Sequence, residues 1–278
     1  MACSMQPTFR ARQFIPQYKL MRFQEWVRCL WIPACCCAVV LSGSAILAQS
    51  QVMVTGIQNA GTSSVFDKTQ FSIDDPASLW VVVNKLRPLP SGYVPADLVV
   101  PHVKLQLSPK SERMHVRAEM AGPLRDLFSA AQKDGYHFTL LSGYRSEAYQ
   151  KKIYSQYVRK LKTRADAASA QPGYSEHQTG LAVDLDRDKD LRCLTLACFA
   201  AMPEARWLEF HAHEYGFIVR YEKGKEGITG YEYEPWHLRY VGKELAEELF
   251  SKQETMEEFF GTQTAPVDAA RRIPKPAQ

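Results

Sequence analysis

Past residue 50 this chain has almost no cysteine and no net charge. The formal charge of the whole is +4, and Arg10, Arg12, Lys19, Arg22 and Arg28 against Glu25 account for all of it. A body without basic excess has no electrostatic footprint for a polyanion, which argues against nucleic-acid binding. Five of the seven cysteines, Cys3, Cys29, Cys35, Cys36 and Cys37, lie near the N-terminus. The 278 residues are enough to bury a core without disulfides. Cys193 and Cys198 remain; a bond closing their short loop after export is one reading, and two partly buried thiols are the other. Asp186, Asp188 and Asp190 have the spacing of a calcium loop but lack its glycine and terminal glutamate, so a solvated loop is expected. Leu41-Ser-Gly-Ser44 has serine where a lipidated cysteine would be required, so no diacylglycerol anchor is expected.

Residues 29–48 carry no charge and follow a basic flank. That pattern directs a chain to the membrane with its N-terminal side in the cytoplasm. Ala-Ile-Leu-Ala48 offers a cleavage site, so residues 1–48 read as a signal peptide, or as an N-terminal membrane anchor if uncut. Met21 would be a more usual start for such a signal, with residues 1–20 an extension. The expected location is outside the cytoplasm, in the periplasm or cell envelope, with membrane contact only through this segment.

Residues 49–75, rich in Gln, Ser, Thr and Gly, read as a linker before a domain over 76–260. Leu79-Trp-Val-Val-Val-Asn84 predicts a strand. Over 113–133 the stripe Met120, Leu124, Leu127, Phe128 and Ala131 predicts a helix, kinked or starting late at Gly122-Pro123. A strand is predicted over 137–142. Ser146 should cap a helix carrying Tyr149, Ile153, Tyr157 and Leu161. Residues 206–215 read as a helix ended by Gly216, on which His211 and His213 point apart and are not a metal pair. One amphipathic helix is predicted over 243–260, with Leu245, Leu249, Met256 and Phe260 inward. Residues 261–278 read as a disordered tail.

Two short stretches carry the chemistry. In Gly180-Leu-Ala-Val-Asp-Leu185 the alternation of a strand puts Leu181, Val183 and Leu185 on one face and Ala182 with Asp184 on the other. Gly180 permits the sharp entry that turns His177 back towards Asp184. In Trp236-His-Leu-Arg-Tyr240 the same alternation buries Trp236, Leu238 and Tyr240 and presents His237 with Arg239. Pro235 bends the chain, so Glu234 need not lie on that strand. Two imidazoles and a carboxylate, His177, Asp184 and His237, make three ligands for zinc with a fourth position open for water, the arrangement of catalytic rather than structural zinc. Glu234 is the adjacent base.

At these residues the sequence resembles the VanY-type D-alanyl-D-alanine carboxypeptidases, zinc peptidases of the bacterial cell wall related to the LAS group. Four blocks carry the resemblance, in order: Val83-Asn-Lys85 through Tyr93-Val-Pro95, Ser142-Gly-Tyr-Arg-Ser146, residues 175–184, and residues 230–242 containing Glu234-Pro-Trp-His237. It implies an α+β fold of the hedgehog/DD-peptidase kind, a small antiparallel sheet carrying the zinc site and flanked by helices. It implies Zn2+ as cofactor and a peptidoglycan stem peptide as partner; oligomeric state stays open. Glu234 would take the proton of the attacking water and pass it to the leaving D-alanine nitrogen. Arg145 would hold the oxyanion or the terminal carboxylate, tasks a planar guanidinium suits equally. Gln150 and Ser175 match family positions lining the substrate pocket. The alternatives are an L,D-carboxypeptidase trimming the tetrapeptide stem and a non-catalytic peptidoglycan-binding domain; the base three residues before a ligand argues against the second.

Overall fold

The computed structural model describes residues 66–187 and 196–263. The N-terminal segment, most of the expected linker, Asp188, Asp190, Cys193 and residues 264–278 of the expected tail lie outside the described residues. Among those described, no helix is long and apolar enough to cross a membrane.

In chain order the strands are β1 Leu98–Val99, β2 Val116–Arg117, β3 Phe138–Ser142, β4 Ala182–Arg187, β5 Phe217–Tyr221 and β6 Glu234–Tyr240. The helices are α1 Ala118–Lys133, α2 Glu147–Leu161, α3 Ala165–Ala168, α4 Leu196–Ala200, α5 Pro203–His211, α6 Glu226–Thr229, α7 Lys243–Lys252 and α8 Met256–Phe260. Four strands form an antiparallel sheet in the order β3-β4-β6-β5, and β1 pairs with β2 apart from it. This is the expected α+β architecture.

One face of the sheet is covered by α1 and α5. Met120, Leu124, Leu127 and Ala131 pack with Leu140, Leu181, Val183, Leu185, Phe217 and Leu238 in the main core. Helix α1 starts at Ala118, later than the apolar pattern alone suggests, and accommodates Pro123 in its second turn. A second cluster gathers Trp80, Val82, Val241, Leu245, Leu249, Met256 and Phe259.

Several expectations are corrected. Residues 80–84 are buried and Leu79 partly so, but they form no strand: Arg239 donates to the carbonyls of Leu79 and Val81, taking acceptors that a neighbouring strand would have used. Part of the expected linker belongs to the domain, because Phe66 stacks on Trp80 at 5.5 Å and Phe71 lies 5.0 Å from it. The terminal helix is two helices. Gln253 ends α7 in a left-handed conformation, and Thr255 starts α8 with a capping box to Glu258. The break resets the phase, so Phe259 rather than Phe260 is buried. Asp186 is buried on β4 instead of solvated. Arg239 is fully buried, while Trp236 and Tyr240 are only partly so. Cys198 is disulfide-bonded.

Candidate metal centre

Sheet register brings the ligands together. Asp184 on β4 stands directly opposite His237 on β6, and opposed residues of an antiparallel pair project to the same face. His177 arrives from a single turn of 3-10 helix, Glu176–Thr179, closed by Gly180 at φ +69°. The positive φ is what requires glycine here; a Cβ on Gly180 would also stand 2.9 Å from Leu98 Cδ2, a side-chain end that would have to shift. Residues after β3 complete the frame: Gly143 O lies 2.7 Å from His177 Nδ1, and the Arg145 amide donates to His177 O.

Glu234 is the first residue of β6, not a residue outside it. Between Val219↔Leu238 and Tyr221↔Glu234 the pairing slips by two residues, so β6 bulges across Pro235-Trp236. A regular strand would put residues 234 and 237 on opposite faces; the bulge aims both at one site. Glu234 Oε2 is 3.9 Å from His237 Nδ1.

The three candidate ligands are the cluster the structure assembles: His177, Asp184 and His237 offer atoms all within 4.8 Å of one another. His177 Nε2 is 3.2 Å from His237 Nδ1 and 3.3 Å from Asp184 Oδ2, and His237 Nδ1 is 3.1 Å from Asp184 Oδ1. Bonds of about 2.0–2.1 Å to tetrahedral zinc give ligand atoms about 3.3 Å apart. His177 Nδ1 lies against Gly143 O and His237 Nε2 against Glu176, so each ring is held through its remote nitrogen and turns the other one, His177 Nε2 or His237 Nδ1, to the site. The donor set fits zinc.

Charges follow from these contacts. Burial pushes the His177 imidazole down to about 4, helped by Arg145. Burial alone would also lower His237, but its bonds to Asp184 and Glu176 raise it to about 9. Burial raises Glu234 to about 7. Burial would raise Asp184 too, yet His177 and its other partners hold it well below the usual carboxylate range.

A cleft of about 120 Å³ opens on the site, lined among others by Arg145, Ile153, Tyr157, Ser175, Glu234 and Trp236. Arg145 lines the cleft, and its buried Nε has no hydrogen-bond partner. Ser175 is a lining residue whose side chain does not cap the turn that follows. Gln150 is not on the cleft wall. Its Nε2 donates at 2.7 Å to Ala170 O, bracing from behind the segment that forms the wall.

Sequence reasoning missed Glu176, Arg220 and Arg239, fully buried around His237, and the wall residues Tyr157, Tyr221, Tyr231 and Trp236. Glu176 had one signal, a second acid directly before a ligand. The apolar residues of α2 recur at helical spacing, yet Ile153 and Tyr157 line the cleft and only Gln150 of that helix is buried.

An open-sided His-His-Asp centre with a buried carboxylate beside it, set on a small antiparallel sheet, defines a metal-dependent hydrolase. A model of the VanY family, D-alanyl-D-alanine carboxypeptidase, matches residues 113–243. Among relatives, YodJ of Bacillus subtilis (strain 168) is 44% identical over 190 residues, covering 68% of this chain and 69% of that protein. A D-alanyl-D-alanine carboxypeptidase of Enterococcus faecalis is 34% identical over 194 residues, covering 66% of each. Among solved structures, the LdcB LD-carboxypeptidase is 43% identical with a TM-score of 0.63, over 68% of this chain and 88% of that one. The vancomycin-resistance D,D-pentapeptidase VanY, solved as a glutamate-to-alanine variant with Zn(II), is 33% identical with a TM-score of 0.54, over 67% and 99%. The chain belongs to the VanY family of D-alanyl-D-alanine carboxypeptidases.

Proposed function

We propose that the protein is a zinc-dependent D-alanyl-D-alanine carboxypeptidase that removes the terminal D-alanine from peptidoglycan stem pentapeptides. The observation that carries this is the cleft in which Glu234 and the unpartnered Arg145 Nε flank three ligand atoms at zinc spacing. VanYB, solved in complex with D-Ala-D-Ala, is 34% identical with a TM-score of 0.54 over 66% of this chain and 97% of that one, which supports the substrate class.

His177, Asp184 and His237 would hold the ion. Zinc so bound supplies Lewis acidity, polarising the scissile carbonyl and easing ionisation of water. Glu234, raised to about 7 by burial, accepts the proton of the attacking water and returns it to the leaving amine. Arg145 pairs with either the substrate's terminal carboxylate or the oxyanion. Ser175 donates or accepts at the cleft wall, and Gln150 keeps that wall in place through Ala170. The enzyme works outside the cytoplasm, exported or anchored by its charge-free N-terminal run.

A second reading, an L,D-carboxypeptidase trimming the tetrapeptide stem, is favoured by the likeness to LdcB, at 43% identity. Release of D-alanine from pentapeptide and tetrapeptide muropeptides, assayed side by side, tests both. Cleavage of pentapeptide supports the main reading, cleavage of tetrapeptide alone selects the second, and cleavage of neither contradicts both.

A further inference from the structure

Behind His237 lies a buried chain of charge that the hydrolytic reading leaves unused. His237 Nε2 faces Glu176 Oε2 at 3.5 Å, at the long end of hydrogen bonding. Glu176 Oε1 accepts from Arg220 Nε at 2.8 Å and from Arg239 Nη1 at 3.0 Å. Arg220 then forks onto Glu257 of α8, Nη1 to Oε2 at 2.8 Å and Nη2 to Oε1 at 2.6 Å. Asn84 also donates to Glu257 Oε1, at 3.2 Å. The side chains of Arg220, Arg239 and Glu176 have no solvent exposure, and that of Glu257 has 1%.

Four buried charges cost several kcal/mol each to desolvate, and apolar residues of similar volume would often be as stable. Stability alone gives a weak reason for them. The cluster sums to zero, two carboxylates against two guanidiniums, and its end member touches a metal ligand. A carboxylate paired with two arginines remains an acceptor, so it orients His237 with Nε2–H towards Glu176 and the Nδ1 lone pair towards the metal. Glu257 takes up half of Arg220's charge; without it that guanidinium would draw on Glu176 alone and weaken its hold on the imidazole.

We propose that Glu176, Arg220 and Glu257 are positioning residues for the zinc ligand His237, which makes the C-terminal helix α8 part of the metal centre. They act through His237: Glu176 reaches the centre by its contact with Nε2, and Arg220 and Glu257 reach it through Glu176. Outer partners of this kind change metal affinity by about 10–100-fold. Only Glu176 lies within a recognisable motif; Arg220 and Glu257 stand on two other elements, β5 and α8.

The inference rests on the zinc reading, and the test separates the two. Zinc affinity of the full chain is measured by competition with a chromogenic chelator for wild type, Glu176→Gln, Glu257→Gln and the double variant, with thermal denaturation of each alongside. Glu176→Gln is expected to weaken zinc binding at least tenfold and Glu257→Gln at least threefold. The double variant should fall short of the product of the two losses, as for residues acting in one chain. Folded variants that bind zinc within twofold of wild type would overturn the proposal, leaving a merely structural network. Wild type that binds no zinc would instead remove the zinc reading itself. If the variants do not fold, nitrogen-15 shifts of zinc-loaded wild type decide: His237 bonded through Nδ1 with a proton on Nε2 is expected, and the opposite tautomer contradicts it.

Discussion

Glu234 and His237 meet because β6 bulges between them, and each brings an ionisation that can be followed. Glu234→Gln keeps the shape of the base and removes its proton acceptor. It is expected to retain zinc at wild-type affinity while kcat falls about 10²–10⁴-fold, the range for loss of a general base; steady-state kinetics with metal analysis checks it. The His237 imidazole, at about 9, is protonated in the zinc-free site at neutral pH, whereas His177, at about 4, is not. Zinc must therefore displace one proton, and its affinity should rise about tenfold per pH unit up to about pH 9. Calorimetry in two buffers of different ionisation enthalpy reads the proton directly. For stability of the zinc-free fold the sign is opposite. A His237 pKa raised above its unfolded value contributes fully below about pH 6.5, and that contribution is lost as pH rises through about 9.

Among the elements, those with regular periodicity were legible in the sequence. The alternation of 180–185 and the stripe from Met120 to Ala131 correspond to β4 and α1, and Ser146 caps α2 by accepting from the Tyr149 amide. The break between α7 and α8 was also written there, as Thr255-Met-Glu-Glu258. It was overlooked because the apolar spacing on either side imitates one helix. Thr255→Ala should cost about 1 kcal/mol by losing that cap, measured by denaturant unfolding. Helix α2 had the opposite fault, a periodic apolar stripe that serves the cleft instead of the core. Ile153→Ala is thus expected to change stability by less than about 1 kcal/mol, whereas Leu238→Ala, fully buried, should cost about 2–5 kcal/mol. Comparing the two unfolding curves tests which residues belong to the core, and a loss of kcat/KM in Ile153→Ala alone places it at the substrate.

At the scale of the whole molecule, metal ligands could be read because they cluster in two short stretches with recognisable strand spacing. The cage around them could not. Arg239 reaches back some 160 residues to the carbonyls of Leu79 and Val81, and Arg220 joins β5 to α8. Such contacts depend on tertiary proximity, and a lone arginine on a strand gives no sign of its partner. The bond from Gln150 to the wall residue Ala170, twenty residues on, gives no sign in the sequence either. All these parts converge on one claim, that His177, Asp184 and His237 hold a catalytic zinc. The most direct measurement is release of D-alanine from pentapeptide by metal-stripped protein titrated with zinc. Activity is expected to return in proportion up to one zinc per chain and to stay absent in His237→Ala. Full activity in stripped protein, or restoration of the His237→Ala variant by one equivalent, would contradict the account.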